Sequence, residues 1–209
     1  MKRLLHIIAS PRGEQSRTLK VSRAFLDAFK QKNPGHSIDE LDLFKEKLPE
    51  LTVRRIDGKY MLLGGKDMPA EYRGDWDAII SQIERFLAAD GYLVSAPMWN
   101  FGIPYRLKQY IDIILQPKYL FQYTAKGPEG LVKGKKMAVV TSRGGDYSPG
   151  SPFSAYDFQE PYIRAAFGFA GIADIEFINA QPMDALGPEV AQAKITEAQA
   201  MARIVAEKF

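Results

Sequence analysis

The chain has 209 residues, with 28 Lys and Arg against 25 Asp and Glu, 46% hydrophobic and 25% charged residues. These are globular values and exclude disorder, a collagen-like helix or a coiled coil for the whole chain. A net charge of +3, with no basic run longer than Lys133 to Lys136, is too weak to argue for nucleic acid.

There is no cysteine, which removes disulfides, thiolate catalysis, Cys-ligated zinc and iron–sulfur clusters. The two histidines, His6 and His36, form no metal or triad pattern. The apolar run Leu4 to Ala9 is too short for a signal segment, and Arg12 and Glu14 follow it. No stretch reaches the roughly 18 to 20 apolar residues of a membrane span. The expectation is a cytoplasmic protein with no membrane role.

Arg3 to Ala9 reads as a buried strand, closed by Ser10-Pro11-Arg12-Gly13. Ser16 to Lys32 has helical spacing and stops at Asn33-Pro34-Gly35. Ile38 to Leu43 is a second strand. Phe44 to Arg73 reads as irregular, with a helical piece around Leu51 to Leu63. In Asp75 to Ala89, Trp76, Ile79, Ile80, Ile83, Phe86 and Leu87 form one stripe of a helix. Tyr92 to Ala96 is a third strand, and Pro104 to Leu115 a helix with proline suitably at its start. Lys136 to Thr141 is a fourth strand, Tyr156 to Gly171 a helix, Ala173 to Ile178 a fifth strand, and Pro188 to Glu207 a C-terminal helix. His6 reads as a core histidine, Trp76 as core, and both His36 and Lys133 to Lys136 as solvated. Alternating strands and helices predict an α/β doubly wound parallel sheet with helices on both faces, in one domain over residues 1–209.

Ligands of such sheets bind beyond the carboxyl ends of the strands. After strand one, Ser10 and the segment Ser16-Arg17-Thr18 lead into a helix whose first amides can hold a phosphate. It is neither a Walker loop nor a dinucleotide fingerprint, and plain capping by Ser16 or Thr18 explains it equally well. After strand three, Pro97-Met98-Trp99-Asn100-Phe101 is a stiff aromatic loop that suits a flat polar ring or packs on the core. After strand four, Ser142-Arg143-Gly144-Gly145 lets backbone approach a ligand or makes a simple turn. Three such loops at one end of one sheet describe an anion at the first and a planar ring between the others, as flavin mononucleotide (FMN) would lie.

These residues, with Ile103-Pro104, Leu107-Lys108, Gly127-Pro128-Glu129-Gly130-Leu131 and Lys135-Lys136, resemble the flavodoxin-like FMN-dependent NADH:quinone oxidoreductases, also called azoreductases. The family usually has Tyr after the Met; Trp99 keeps the aromatic wall and drops the hydroxyl. The resemblance implies strand order 2-1-3-4-5, non-covalent FMN, NADH or NADPH as donor, and a homodimer with its sites at the subunit interface. It implies two-electron, ping-pong transfer to quinones and, permissively, azo compounds. By resemblance, Ser10, Ser16, Arg17 and Thr18 hold the phosphate end. Pro97, Met98, Trp99, Asn100 and Phe101, with Ser142, Arg143, Gly144 and Gly145, hold the isoalloxazine. Hydride chemistry on FMN needs no catalytic side chain and no metal. Tyr119, Phe121 and Tyr123 wall the substrate site or the dimer seam, or pack in the core. The alternatives are a flavodoxin-type electron carrier and a phosphate binder without flavin.

Overall fold

The structure, a computed structural model, describes residues 2–209. In chain order it contains β1 (Arg3–Ile8), α1 (Arg17–Lys32), β2 (Ser37–Asp42), α2 (Val53–Leu63), α3 (Ala70–Leu87), β3 (Gly91–Ser95), α4 (Tyr105–Ile114), β4 (Phe121–Thr124) and β5 (Gly127–Gly130). It continues with β6 (Lys136–Ser142), α5 (Gln159–Phe169), β7 (Asp174–Ala180) and α6 (Pro188–Ala206). Five strands form one parallel sheet in the order β2-β1-β3-β6-β7. Counted along the five parallel strands this is the expected order; β4 and β5 stand apart as an antiparallel hairpin.

Successive strand residues face opposite sides. Leu5, Ile7, Tyr92, Val94, Met137 and Val139 pack with apolar residues of α3, α4 and α5. Leu4, Leu93, Ala138 and Val140 pack with those of α1 and α6. Both faces are covered, so the inner strands read as unbroken apolar runs. No described helix is long and apolar enough to cross a membrane.

The irregular stretch does hold a helix, α2, where a helical piece was expected. α3 begins at Ala70, not Asp75, because Pro69 occupies its N-cap position with extended backbone. A methyl group on Gly74 would meet open space, so this glycine costs only its helix propensity, about 1 kcal/mol. The hairpin went unseen because Gly127-Pro128-Glu129-Gly130 has little strand propensity. Trp76 is fully buried, as expected. His36 is half-buried rather than solvated, its ring 5.8 Å from that of Phe29. In the expected solvated turn, Lys135 is partly buried and donates to the Leu87 carbonyl at 2.6 Å.

His6 starts a line of buried hydrogen bonds toward the carboxyl rim. Ser22 Oγ donates to the Thr18 carbonyl (3.1 Å), so its hydroxyl proton is committed. Ser95 Oγ must then donate to Ser22 Oγ (2.6 Å), and His6 Nε2–H to Ser95 Oγ (2.8 Å). The Nδ1 left over is a bare acceptor without a partner among the described residues. Burial lowers the His6 pKa from 6.5 to about 4. The unfolded chain therefore takes up this proton first as pH falls. The stability is fully present above pH 6.5 and is lost between there and about pH 4, by about 3 kcal/mol. Urea unfolding at both ends of this window should show the loss in the wild type and a smaller one in His6→Phe. Equal losses would remove His6 as its source.

Candidate cofactor site at the carboxyl rim

The loops after β1, β3 and β6 converge, and the loop after β7 joins them. Together they enclose a cleft of about 210 Å³. Of the expected residues, Ser10, Ser16, Arg17, Pro97, Met98, Trp99, Ser142, Arg143 and Gly144 line it. Thr18, in the first turn of α1, and Asn100, Phe101 and Gly145, in the second and third loops, are not on its wall.

In the first loop a short 3-10 turn, Gly13–Gln15, leads to Ser16, whose extended backbone makes it the N-cap of α1. Ser16 Oγ accepts from the Leu19 amide (3.3 Å) and from Ser10 Oγ (2.9 Å). The capping expectation is therefore correct for Ser16. Capping does not use up the helix end: among the described residues the amides of Arg17 and Thr18 make no hydrogen bond. Two free donors at the positive end of a 16-residue helix suit an anion. Thr18 is buried, and its hydroxyl shares a 2.7 Å hydrogen bond with Ser142 Oγ, which ties the first loop to the third.

The second loop continues the pairing of β3 with β6, since Met98 N–H donates to the Ser142 carbonyl at 3.0 Å. Trp99 and Gly102 then exchange two 3.0 Å hydrogen bonds around Asn100 (φ 47°) and Phe101 (φ 69°). A two-residue turn of this kind needs positive φ at both central residues and normally takes Asn-Gly. A phenylalanine there is strained, of the order of 1 kcal/mol or more, and such strain clusters at binding sites. The amides of Asn100 and Phe101 make no hydrogen bond among the described residues. Trp99 is 36% exposed, with Phe44 and Tyr105 at ring distances of 5.9 and 6.5 Å.

In the third loop the amides of Gly144 and Gly145 are likewise unengaged among the described residues. The Gly144 carbonyl is held by the amides of Met183, Asp184 and Ala185 at 3.0 to 3.2 Å. Arg143 is the buried member of this loop. Its backbone lines the cleft, but its side chain turns into the protein and is 1% exposed. Nε donates to Gln159 Oε1 (3.1 Å) and Nη1 to Asp157 Oδ2 (2.9 Å), while Nη2 has no hydrogen bond among the described residues and lies 3.7 Å from Glu160 Oε2. Burial lowers its pKa against the opposing pull of Asp157 and Glu160. Gln159 Nε2 in turn donates to the carbonyls of Ala96 and Pro97, both at 3.1 Å. Arg143 and Gln159 thus brace the second loop against the third from behind.

Tyr119, Phe121 and Tyr123 do not line this cleft. Phe121 is 5% exposed and packs on Phe169 at 4.7 Å, which is the core-packing alternative; Tyr123 is exposed. Sequence reading missed Gln159, Met183 and Asp184. Met183 and Asp184 lie in a loop at the same rim, just after β7. The strand-end rule applied to β7 finds them; Gln159 carries no local signal.

The sequence profile of a family described as flavodoxin-like fold (Flavodoxin_2) matches residues 2–205. The FMN-dependent NADH:quinone oxidoreductase of Nitratidesulfovibrio vulgaris (strain DP4) is 41% identical over 209 residues, covering 100% of each chain. The azoreductase from Bacillus anthracis str. Sterne superposes with a TM-score of 0.90 at 33% identity, covering 100% of each chain. An FMN-dependent NADH-azoreductase from Bacillus anthracis str. Ames Ancestor, solved in complex with FMN, gives a TM-score of 0.85 at 28% identity, covering 99% of this chain and 100% of that one. With its sheet order, its rim cleft and a profile that spans nearly its whole length, this chain belongs to the Flavodoxin_2 family of flavodoxin-like proteins.

Proposed function

We propose that this chain is an FMN-dependent NADH:quinone oxidoreductase, using NADH or NADPH, with quinones as acceptors and azo compounds reduced permissively. The observation that carries the reading is the free amide of Arg17 on the cleft wall, with that of Thr18 beside it, across the cleft from Gly144 of the third loop. The relatives' names supply the donor and the acceptor classes.

The residues present fit FMN. The Arg17 and Thr18 amides and the Ser10 and Ser16 hydroxyls suit the phosphate. Arg17 adds a charge-assisted bond. Met98 and Trp99 offer an apolar wall, and Gly144 removes side-chain bulk. When bound, FMN supplies the two-electron chemistry, in a ping-pong cycle with donor and acceptor taking turns. The free amides of Asn100, Phe101, Gly144 and Gly145 are candidates to stabilise charge on the ring. No histidine or carboxylate pair lines the cleft, so no proton donor is assigned.

The reading includes a homodimer and a cytoplasmic setting, where nicotinamide donors are available. Phe101 (44% exposed), Tyr105 (65%) and Tyr156 (50%) expose aromatic surface at or near the second loop, which suits a partner. The whole chain, residues 1–209, is taken as one FMN-binding unit.

Steady NADH oxidation with benzoquinone tests the activity, and parallel double-reciprocal plots test the ping-pong order. An electron carrier binds FMN but does not turn over NADH without a reductase. Ser16→Ala should weaken FMN binding about fivefold or more while riboflavin binding changes little, because a capping and phosphate contact worth about 1 kcal/mol is lost. Unchanged FMN affinity would remove the first loop from the site.

A further inference from the structure

The acid in the cleft wall is unexpected for a site that takes a phosphate. Asp184 lies in the loop after β7 and is the sole carboxylate among the cleft-lining residues. Its Oδ1 accepts a 2.6 Å hydrogen bond from Arg17 Nη1, in the first turn of α1. Its Oδ2 lies 3.0 Å from where a methyl group on Gly144 would sit. One side chain therefore reaches from the phosphate end of the cleft to the glycine loop. The Asp184 amide is fixed, donating to the Gly144 carbonyl at 3.0 Å, so the backbone stays while the carboxylate can swing.

We infer that Asp184 competes with the cofactor phosphate for Arg17 and so sets how tightly, and how selectively, the cleft holds FMN. The inference rests on the FMN reading. Its physical basis is charge. The Arg17 guanidinium has five donors but one positive charge. A phosphate arriving beside the Arg17 and Thr18 amides brings nearly two negative charges close to the carboxylate. Both partners are solvated, Arg17 at 37% and Asp184 at 68% exposure, so the ion pair itself is weak and can be exchanged. Its solvation also lets the carboxylate turn to water without the cost of a buried ion. The wild-type site thus binds the phosphate against a standing competitor, which favours exchange of the cofactor over permanent retention. Riboflavin lacks the phosphate and does not meet this competition.

The test is equilibrium titration of the full chain with FMN and with riboflavin, followed by quenching of flavin emission. Asp184→Asn keeps the size and polarity of the side chain and removes its charge. It should tighten FMN binding about fivefold to tenfold and change riboflavin binding less than about twofold. In an Arg17→Gln background the same change should give a smaller gain than in the wild type, because the contested cation is gone and only the direct repulsion between carboxylate and phosphate remains to be relieved; an equal gain overturns the competition. An unchanged or weaker FMN affinity in Asp184→Asn overturns the inference, as does an equal gain for riboflavin. The riboflavin affinity also reports that the variant is folded. A wild-type chain that binds neither flavin overturns the FMN reading and this inference together. A wild type that binds FMN no more weakly than Asp184→Asn overturns the inference alone.

Discussion

Replacing Gln159 with leucine is expected to lower stability by about 3 kcal/mol and to loosen the cofactor cleft in the same step. Gln159 is fully buried at the start of α5. Leucine matches its bulk, so packing changes little. What is lost is polar: the carbonyls of Ala96 and Pro97 lose a donor, and Arg143 Nε loses its acceptor. The charge of Arg143 stays paired, with Asp157 at 2.9 Å and Glu160 at 3.7 Å, but its Nε–H would be a buried donor of a charged group with no acceptor, which costs more than a neutral one. For a chain of this size the expected fall in melting temperature is roughly 6 to 12 °C. FMN affinity should fall more than the affinity of Ser16→Ala does, because the second and third loops lose their common brace. Thermal unfolding and flavin titration check both parts. A change in stability below about 1 kcal/mol would mean that Arg143 is satisfied without Gln159.

Gly130→Ala is the second large effect. A methyl group at Gly130 would stand 2.3 Å from the Gly171 nitrogen and 2.5 Å from the Ala170 carbonyl carbon. Both are backbone atoms, so no side chain can swing aside. The segment is also drawn in, because Val132 N–H donates to the Ala170 carbonyl at 2.8 Å. The methyl group must push the β4–β5 hairpin off the end of α5, breaking that bond and parting Phe121 from Phe169. The expected loss is about 3 kcal/mol, at the upper end for overpacking. Urea unfolding measures it. A variant within about 0.5 kcal/mol of wild type would show that the hairpin is not held against α5.

The sheet was legible because burial on both faces leaves a simple signature. Tyr92-Leu93-Val94-Ser95 and Met137-Ala138-Val139-Val140 are short apolar runs bounded by turn residues, the pattern of inner parallel strands, and both are such strands. The three rim loops were legible because strand-end position and glycine, proline and hydroxyl content are local properties. The hairpin was not, since β5 is held by its partner strand and by α5 rather than by its own propensity. The inward turn of the Arg143 side chain was not legible for a related reason. The sequence shows an arginine in a binding loop, and only the fold shows Asp157 and Gln159 waiting behind it. Asp184 lies more than 160 residues from Arg17, and no spacing rule links them. The turn at Asn100-Phe101 was read as stiff from its flanking prolines, but its left-handed backbone had no sequence mark, because phenylalanine does not prefer it.

On the reading proposed above, FMN lies across the carboxyl rim, with its phosphate on the Arg17 and Thr18 amides and its ring between the Trp99 and Gly144 loops. Titration of the purified chain with FMN, followed by the visible spectrum and by quenching of flavin emission, tests it most directly. Saturation at one flavin per chain, with weaker binding in Ser16→Ala, is the expected result. A chain that stays colourless and leaves flavin emission unchanged would contradict it.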